Sequence, residues 1–314
     1  MPPSDTQPGN APAADDSAGV VVAAGPARVH EHRWWKEVLI IASFYAVYSV
    51  VRNQFGSNRM VGGDEPVHAF NNALQVIRLE RFMHLFHEPW LQRQFLPYRT
   101  FVQFWNVYYG TGHFIVTIAT FVVIFRYLPE RFARWRNALA LTTALALVGF
   151  SLFPLMPPRL LNDKSTYGGA RIASERHVEN FGFVDTLERD GGLWSFDSGT
   201  MQQVSNQYAA MPSLHTAWAT WSALALWPLT RRRRWAQALL VLYPLATVFC
   251  IIVTANHFWI DGLGGLATLS VGFAGGRQLD KWNQRRLDRK HGLPPGDRAA
   301  EASTSRPAST SAPA

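Results

Sequence analysis

The stretch WAQALLVLYPLATVFCIIVTANHFWIDGLGGLATLSVGFAG, residues 235–275, decides the fold of this chain. It contains two apolar runs, 235–253 and 257–275, separated by three residues. Each run approaches the roughly 20 apolar residues that a helix needs to cross the hydrocarbon of a bilayer. The second run is rich in glycine, which is typical of helices that pack closely together in lipid. The stretch therefore predicts two transmembrane helices.

Four more apolar runs precede this stretch, at 35–51, 101–125, 137–155 and 213–229. Most of the six runs hold hardly any charge, which argues against buried helices of a soluble protein. The 314 residues include 12 Trp and 20 Phe, many of them near the ends of the runs, where a membrane interface favours amphipathic rings. We therefore predict an all-α fold, a six-helix transmembrane bundle.

The polar segments around the runs differ in character. Segment 64–100 mixes apolar and charged residues at helical spacing, which predicts one or two amphipathic helices at the membrane interface or on the end of the bundle. Residues 1–27 and 291–314 are rich in Ala, Pro, Ser and Gly, so we expect them to be disordered tails. The membrane domain would then extend over 28–290.

Basic residues cluster before the first run and in the connections that follow the second, fourth and sixth runs. The four clusters are Arg28, Arg33 and Lys36; Arg126, Arg131, Arg134 and Arg136; Arg231 to Arg234; and Arg277, Lys281, Arg285 and Arg286. All four fall on one side of a six-span chain, and the positive-inside rule assigns that side to the cytoplasm. We therefore expect both termini in the cytoplasm and the long connections 52–100 and 156–212 outside, with the plasma membrane as the location.

The composition excludes several classes of protein. The net charge is +8, but the basic residues sit at the ends of apolar runs, where anionic lipid headgroups would contact them. The sequence has no zinc-finger or RNA-binding signature, so we expect no nucleic-acid partner. The single cysteine, Cys250, excludes an intramolecular disulfide and a zinc site built from cysteines. The sequence has no metal-ligand spacing, so we expect neither a metal nor a cofactor.

Several residues with reactive or charged side chains fall at the predicted outer ends of the third, fourth and sixth runs. They are Arg159, Ser213, His215, His257 and Asp261. His257 and Asp261 are four residues apart, so their side chains are neighbours on a helix. A carboxylate beside an imidazole fixes its tautomer and leaves the other ring nitrogen free to attack an electrophile. The alternative is a structural hydrogen-bonded pair, but ionisable residues near a membrane are costly, which favours a functional role.

The third and fourth runs supply groups that suit an anion. Pro212 can occupy the first position of a helix, where backbone N–H groups without intrahelical partners form an anion site. Ser213 would add a hydroxyl donor, and His215 a proton donor. Arg159 has the planar guanidinium that suits bidentate contact with phosphate. Alone, these residues also fit a capped helix start and an interfacial anchor, so the hypothesis depends on their combination.

In chain order, P-P-R at 157–159, P-S-L-H at 212–215 and H-F-W-I-D at 257–261 resemble the motifs of the type 2 phosphatidic acid phosphatase superfamily. The usual forms in that superfamily are K-x6-R-P, P-S-G-H and S-R-x5-H-x3-D. The resemblance covers roughly residues 100–275, and it implies a metal-independent phosphatase or phosphotransferase that acts on lipid phosphates.

This resemblance also implies a role for each residue. His257 would be the nucleophile that takes the phosphoryl group, and Asp261 would orient it. His215 would protonate the leaving oxygen, while Ser213 and Arg159 would hold the phosphate oxygens.

The chain departs from the usual motifs at several positions. Leu152, Leu214, Cys250 and Ile251 stand where the family has Lys, Gly, Ser and Arg, so a usual phosphate-binding arginine is missing. Arg52, which follows the first run on the outer side, is our candidate replacement, and a plain interfacial anchor is the alternative. The motif forms resemble the branch that includes inositol phosphorylceramide synthases, and sphingomyelin synthases carry a similar H-Y-x-x-D. That branch implies transfer of a phosphoryl head group to an alcohol.

We therefore predict a membrane lipid-phosphate phosphatase that acts through a phosphohistidine at the outer membrane face. One alternative is a phosphotransferase of the inositol-phosphate type, which moves a phospho-head group between lipids. Another is a non-catalytic membrane scaffold, against which the intact His215, His257 and Asp261 argue. A vanadate haloperoxidase would be soluble, and a transporter would carry charged pairs deep inside its spans. Candidate substrates are phosphatidic acid, isoprenyl phosphates or diphosphates, and inositol or sphingoid phospholipids; the oligomeric state stays open.

Overall fold

The computed structural model describes residues 34–54, 65–165, 167–191 and 207–290. These residues form α-helices, short 3-10 turns and one isolated bridge between Leu155 and Ala209. The helices are α1 (Trp34–Gln54), α2 (Glu65–Phe82), α3 (Glu88–Phe95), α4 (Arg99–Tyr127), α5 (Pro129–Leu152), α6 (Ala170–Glu175), α7 (Thr186–Asp190), α8 (Leu214–Leu226), α9 (Arg234–Val253) and α10 (Trp259–Lys290). The predicted all-α fold class is confirmed, and the predicted disordered tails, 1–27 and 291–314, lie outside the described residues.

Three helices of the described residues, α4, α5 and α9, are long and apolar enough to cross a membrane. These helices fit an integral membrane protein. The prediction of six spans is not confirmed as a count, although each predicted run falls on a helix. Of the other helices, α8 has 13 residues, α1 has charged residues near both ends, and the second half of α10 is strongly polar.

The outer surface of the bundle matches a lipid environment. Large apolar side chains that are more than half exposed line α4 and α9, and examples are Ile115, Ile118, Val122, Leu242 and Leu245. A contiguous apolar surface of this kind is unusual on a soluble monomer and marks a membrane or protein contact. The exposed faces of both spans are therefore suited to acyl chains.

Helix α8 occupies the centre of the bundle, where it packs against α4, α5, α9 and α10. Its Trp221 is fully buried, with an indole Nε1 that donates to the carbonyl oxygen of Trp135 at 2.9 Å. That bond satisfies the polar atom of a side chain that otherwise contributes apolar area. Ile124, Phe132 and Leu269 complete this core from α4, α5 and α10.

Helices α5 and α10 run antiparallel and pack together through glycine. A Cβ at Gly272 would lie 2.8 Å from the backbone nitrogen of Thr142, and one at Gly276 would lie 3.1 Å from that of Ala138. Real Cβ atoms essentially never come as close as the first distance. The glycine-rich run therefore allows the close helix contact that its composition predicts.

A second core closes one end of the bundle. Segment 64–100 forms α2, α3 and the first residues of α4. The buried face of α2 packs against the chain that follows α5 and against the start of α10. Its members include Phe70, Ile77, Leu155, Met156, Leu161, Tyr208 and Phe258. The amphipathic segment thus caps the bundle at the end where the predicted site residues lie.

Candidate active site

The connection between α9 and α10 positions His257. Thr254 ends α9, with its Oγ1 donating to the carbonyl oxygen of Cys250 at 2.7 Å. Ala255 adopts a left-handed backbone conformation with φ of 53°, which is a common way to end a helix. The Nδ2 of Asn256 donates to Thr254 Oγ1 at 2.8 Å. These local bonds make a rigid turn that presents His257 at the beginning of α10.

The predicted His257–Asp261 pair is formed. The imidazole Nδ1 lies 3.3 Å from Asp261 Oδ2, and the two side chains are 3% and 0% exposed. The same Oδ2 accepts from the backbone N–H of Phe258 at 2.9 Å, so the carboxylate is itself held in place. His257 Nε2 and Asp261 Oδ1 are buried and make no hydrogen bond of good geometry within the described residues. The pair therefore leaves Nε2 available for chemistry.

The imidazole of His257 lies in the connection, outside both flanking helices. Burial, together with the nearby positive charge of Arg159, lowers its pKa to about 4, and the backbone of Ala210 opposes that shift. The ring is therefore neutral at pH 7, the form in which one ring nitrogen keeps a lone pair. A neutral, oriented imidazole is the form needed for nucleophilic attack.

His215 lies in the first turn of α8, across from His257. The two ring centroids are 5.5 Å apart, with an angle of 63° between the planes. Tyr109 stacks on His215 at 4.4 Å and 20°, and His113 approaches the same ring at 4.3 Å. The structure therefore brings the two predicted catalytic histidines together, within a group of rings supplied by α4, α8 and the α9–α10 connection.

Ser213 is fully buried and caps α8. Its Oγ accepts from the backbone N–H of Thr216 at 3.4 Å, and its own N–H donates to the carbonyl oxygen of Asp261 at 2.9 Å. The second bond ties the start of α8 to the first turn of α10. The residue lies between the predicted catalytic groups, with its hydroxyl already engaged as a helix cap; its predicted phosphate contact stays a prediction.

Arg159 lies in the 3-10 turn Pro158–Leu160, and its side chain is bound by two residues between α6 and α8. Nη1 donates to Asp185 Oδ2 at 2.6 Å, and Nη2 donates to Gln207 Oε1 at 2.7 Å. Its backbone N–H donates to the Ala255 carbonyl at 2.8 Å, which fixes the turn beside the α9–α10 connection. A role in phosphate binding stays a prediction.

The candidate replacement for the missing arginine cannot be placed. Arg52 falls within α1, but its side chain lies outside the described residues. Ile251, which stands at the position of the missing arginine, is fully buried. Helix α9 therefore offers no cation at that position, and the role of Arg52 stays a hypothesis.

The structure adds residues that the sequence analysis did not select. Tyr109 and His113 are one turn apart on α4, and both rings contact His215. The spacing of four residues between Tyr109 and His113 is the signal that could have grouped the two. Glu80 and Glu88 are both fully buried and contact the start of α10. Nothing in the local sequence distinguishes these two from the solvated charges around them.

With this geometry established, comparison with known proteins identifies the family. A family model described as the PAP2 superfamily matches residues 74–275. The chain belongs to the PAP2 superfamily. Comparisons with curated proteins and with solved structures returned no match. Members of the PAP2 superfamily are generally phosphatases or phosphotransferases, and the matched region holds all three motifs. The resemblance at superfamily level is therefore confirmed.

Proposed function

We propose that this PAP2 protein is a lipid-phosphate phosphatase of the plasma membrane, which uses His257 as a nucleophile at the outer membrane face. The observation that carries the proposal is the buried His257–Asp261 pair with His215 beside it, at a ring separation of 5.5 Å. One neutral imidazole is held by a carboxylate, and a second imidazole lies beside it. This is the arrangement of an oriented nucleophile with a separate proton donor.

The first step transfers the phosphoryl group to the protein. Nε2 of His257 attacks phosphorus and forms a P–N bond as the bond to the leaving alkoxide or phosphate oxygen breaks. The protonated His215 gives its proton to that oxygen, so the leaving group departs neutral at that atom. Asp261 keeps the proton on Nδ1 and stabilises the positive charge that develops on the ring. Acid help of this kind is worth about 10²–10⁴-fold.

The second step returns the protein to its starting state. A water molecule attacks phosphorus, His215 takes a proton from it, and the P–N bond to His257 breaks. Inorganic phosphate leaves, and His215 carries the proton for the next cycle. Arg159 and the beginning of α8 would stabilise the equatorial oxygens, which is the main electrostatic task in phosphoryl transfer.

Substrate would enter from the side, within the lipid. The proposal includes a bundle of six spans with the site at its outer end, so that a headgroup reaches His257 while its tails stay among acyl chains. The exposed apolar faces of α4 and α9 support this route because both helices also border the site. Phosphatidic acid and isoprenyl diphosphates have the required combination of a terminal phosphate and long tails.

A second candidate is transfer of a phospho-head group to an alcohol, as the resemblance to inositol phosphorylceramide synthases implies. The observation that favours it is the altered third motif, in which the buried Cys250 and Ile251 replace Ser and Arg. In this reaction an acceptor hydroxyl replaces water in the second step. His215 would deprotonate it in the same way.

Phosphate release from purified protein in mixed micelles tests the proposal. Phosphatidic acid and an isoprenyl diphosphate are offered with a chelator present. We expect chelator-resistant release that falls on the order of 10³-fold or more in His257→Ala. The matched control is His68→Ala, because His68 is an exposed histidine on α2. Full activity in a folded His257→Ala protein would contradict the mechanism.

The transfer reaction is tested with the same preparation. An alcohol acceptor and a phospholipid donor are supplied, and the lipid products are separated. A new phospholipid without release of free phosphate would favour the phosphotransferase. Absence of both products, from folded protein, would favour the non-catalytic scaffold.

A further inference from the structure

Two acidic side chains are buried where the capping helices meet α10. Glu80 lies near the end of α2 and Glu88 at the start of α3, and both are 0% exposed. Their Oε2 atoms are buried, and neither makes a hydrogen bond within the described residues. A buried charge without a cation is costly, so the pair needs another source of stabilisation.

The backbone at the start of α10 supplies part of the stabilisation that the two buried carboxyl groups need. Three successive amide groups, which have no partner inside the helix, donate to three carboxyl groups. The bonds run from Phe258 to Asp261 at 2.9 Å, from Trp259 to Glu88 at 3.2 Å and from Ile260 to Glu80 at 2.9 Å. The helix begins on carboxyl groups, which is the favourable orientation for its dipole.

We expect a proton shared between Glu80 and Glu88 to supply the rest of the stabilisation. Burial raises the pKa of Glu80 to about 10, and it raises the pKa of Glu88 as well; each carboxyl is also close to the other and to Asp261. Two adjacent buried carboxyl groups do not both ionise, because the second negative charge would meet the first in a medium of low polarity. The protonated Glu80 can donate to Glu88, and that bond satisfies the oxygens left over from the backbone contacts.

We propose that Glu80 and Glu88 form a proton-sharing carboxyl pair that holds the first turn of α10 and so positions His257 and Asp261. The inference rests on the proposed function for its kinetic consequence. Both residues are positioning residues, because each acts through a backbone amide at the start of α10. The amides that they bind belong to Trp259 and Ile260, the two residues directly before Asp261.

The first test compares two substitutions at Glu80 in the purified full chain. Glu80→Gln keeps the acceptor for Ile260 and replaces the protonated oxygen with an amide donor, whereas Glu80→Ala removes both. We expect kcat of Glu80→Gln to stay within about twofold of the parent. In Glu80→Ala, kcat should fall on the order of 10²-fold at nearly constant KM, because small displacements of reacting groups have effects of this size. Glu175→Gln and Glu175→Ala are matched controls, since Glu175 is an exposed carboxylate.

Hydrogen exchange supplies a readout that does not need activity. Amide exchange in the peptide that covers 255–262 should be unchanged in Glu80→Gln and faster by at least about tenfold in Glu80→Ala. If the exchange pattern holds but no variant and no parent protein releases phosphate, the carboxyl pair stands and the proposed function fails. Equal exchange in the parent and Glu80→Ala would overturn the inference.

The melting temperature against pH decides the question even where Glu80→Ala does not fold. The folded chain holds a proton on Glu80 up to about pH 10, while an unfolded glutamate, with an ordinary pKa of 4.5, has lost it. The contribution of Glu80 to the free energy of unfolding is therefore fully present below pH 4.5 and is lost as the pH rises toward 10. Glu88 and Asp261 are the charged groups that face Glu80, and both are present in the parent and in Glu80→Gln. The melting temperature of Glu80→Gln relative to the parent should rise from pH 6 to pH 9; a constant difference, or failure of Glu80→Gln to fold, would overturn the proton sharing.

Discussion

His215 is held by the rings around it. The Tyr109 ring stacks on the imidazole at 4.4 Å, and His113, one helical turn further along α4, meets its edge at 4.3 Å. Ring pairs of this kind contribute about 0.5–1.5 kcal/mol beyond the area they bury. In the proposed mechanism His215 moves a proton in two steps and benefits from a fixed ring, because each step needs the same nitrogen near phosphorus.

We therefore expect Tyr109→Ala to lower kcat by about 2- to 12-fold, which is the stacking energy expressed as a rate. Tyr109→Phe keeps the ring and should retain most of the activity. Steady-state phosphate release measures both, with Tyr98→Ala as a control because Tyr98 is exposed. If Tyr109→Phe lost as much activity as Tyr109→Ala, the hydroxyl rather than the stacked ring would be the important group.

Arg159 is ordered before any ligand arrives. Its bonds to Asp185 and Gln207 hold the guanidinium in place, while Asp185 also accepts from the backbone N–H groups of Leu187 and Glu188 and caps α7. A cation held by a capped helix loses little conformational freedom on binding a phosphate, which is the advantage of a preorganised group. Asp185 and Gln207 thus determine the position of the Arg159 side chain.

At the scale of elements, α10 is the helix that joins the site to the bundle. It begins at the carboxyl groups described above, contacts the start of α8 at Gly265, and then packs on α5 through Gly272 and Gly276. A Cβ at Gly265 would overlap the carbonyl oxygen of Ser213. The glycines therefore fix how far α10 lies from its neighbours, and with it the distance between His257 and His215.

Substitution of a single glycine on this helix tests that role. Gly272→Ala places a methyl group against the Thr142 backbone, which cannot move aside, so we expect a loss of about 1–3 kcal/mol. The melting temperature should fall by several degrees. Gly275→Ala is the matched control, because its Cβ would meet only the flexible Leu141 side chain at 3.3 Å. Equal melting temperatures for the two variants would show that the α5–α10 contact is not set by Gly272.

At the scale of the whole molecule, the two ends of the bundle differ in chemistry. The histidines and the buried carboxyl groups lie near the beginning of α10, while Arg277 lies sixteen residues after Asp261 on the same helix, about 24 Å away in an α-helix. Arg134 contacts Phe273 at that second end, with its guanidinium 4.8 Å from the ring centroid. A charge asymmetry of this kind orients a membrane protein with its basic end in the cytoplasm.

Labelling of introduced cysteines tests this orientation. The only native cysteine, Cys250, is 1% exposed and should not react. Glu179→Cys, in the predicted outer loop, should react with a membrane-impermeant maleimide on intact cells. Arg232→Cys, between α8 and α9, should react only after the cells are permeabilised. The reverse pattern would place the site in the cytoplasm and contradict the predicted topology.

Much of the fold and of the candidate site could be predicted from local sequence patterns. The apolar runs correspond to helices, the spacing of His257 and Asp261 produces a contact, and the motif order identifies the superfamily. The number of spans is less certain from sequence, because α1, α8 and α10 combine apolar residues with charges, short length or polar ends. Hydropathy and helical spacing depend on neighbours within a few turns, so they predict helices and contacts within a helix without tertiary information.

The sequence by itself determined the helices, the catalytic candidates and their order along the chain. Only the tertiary structure decided which distant side chains support them. Glu80 and Ile260 are 180 positions apart, and Tyr109 stacks on a histidine from another helix. Such contacts depend on how the helices are placed against one another, because packing of buried side chains sets that register and no local pattern records it.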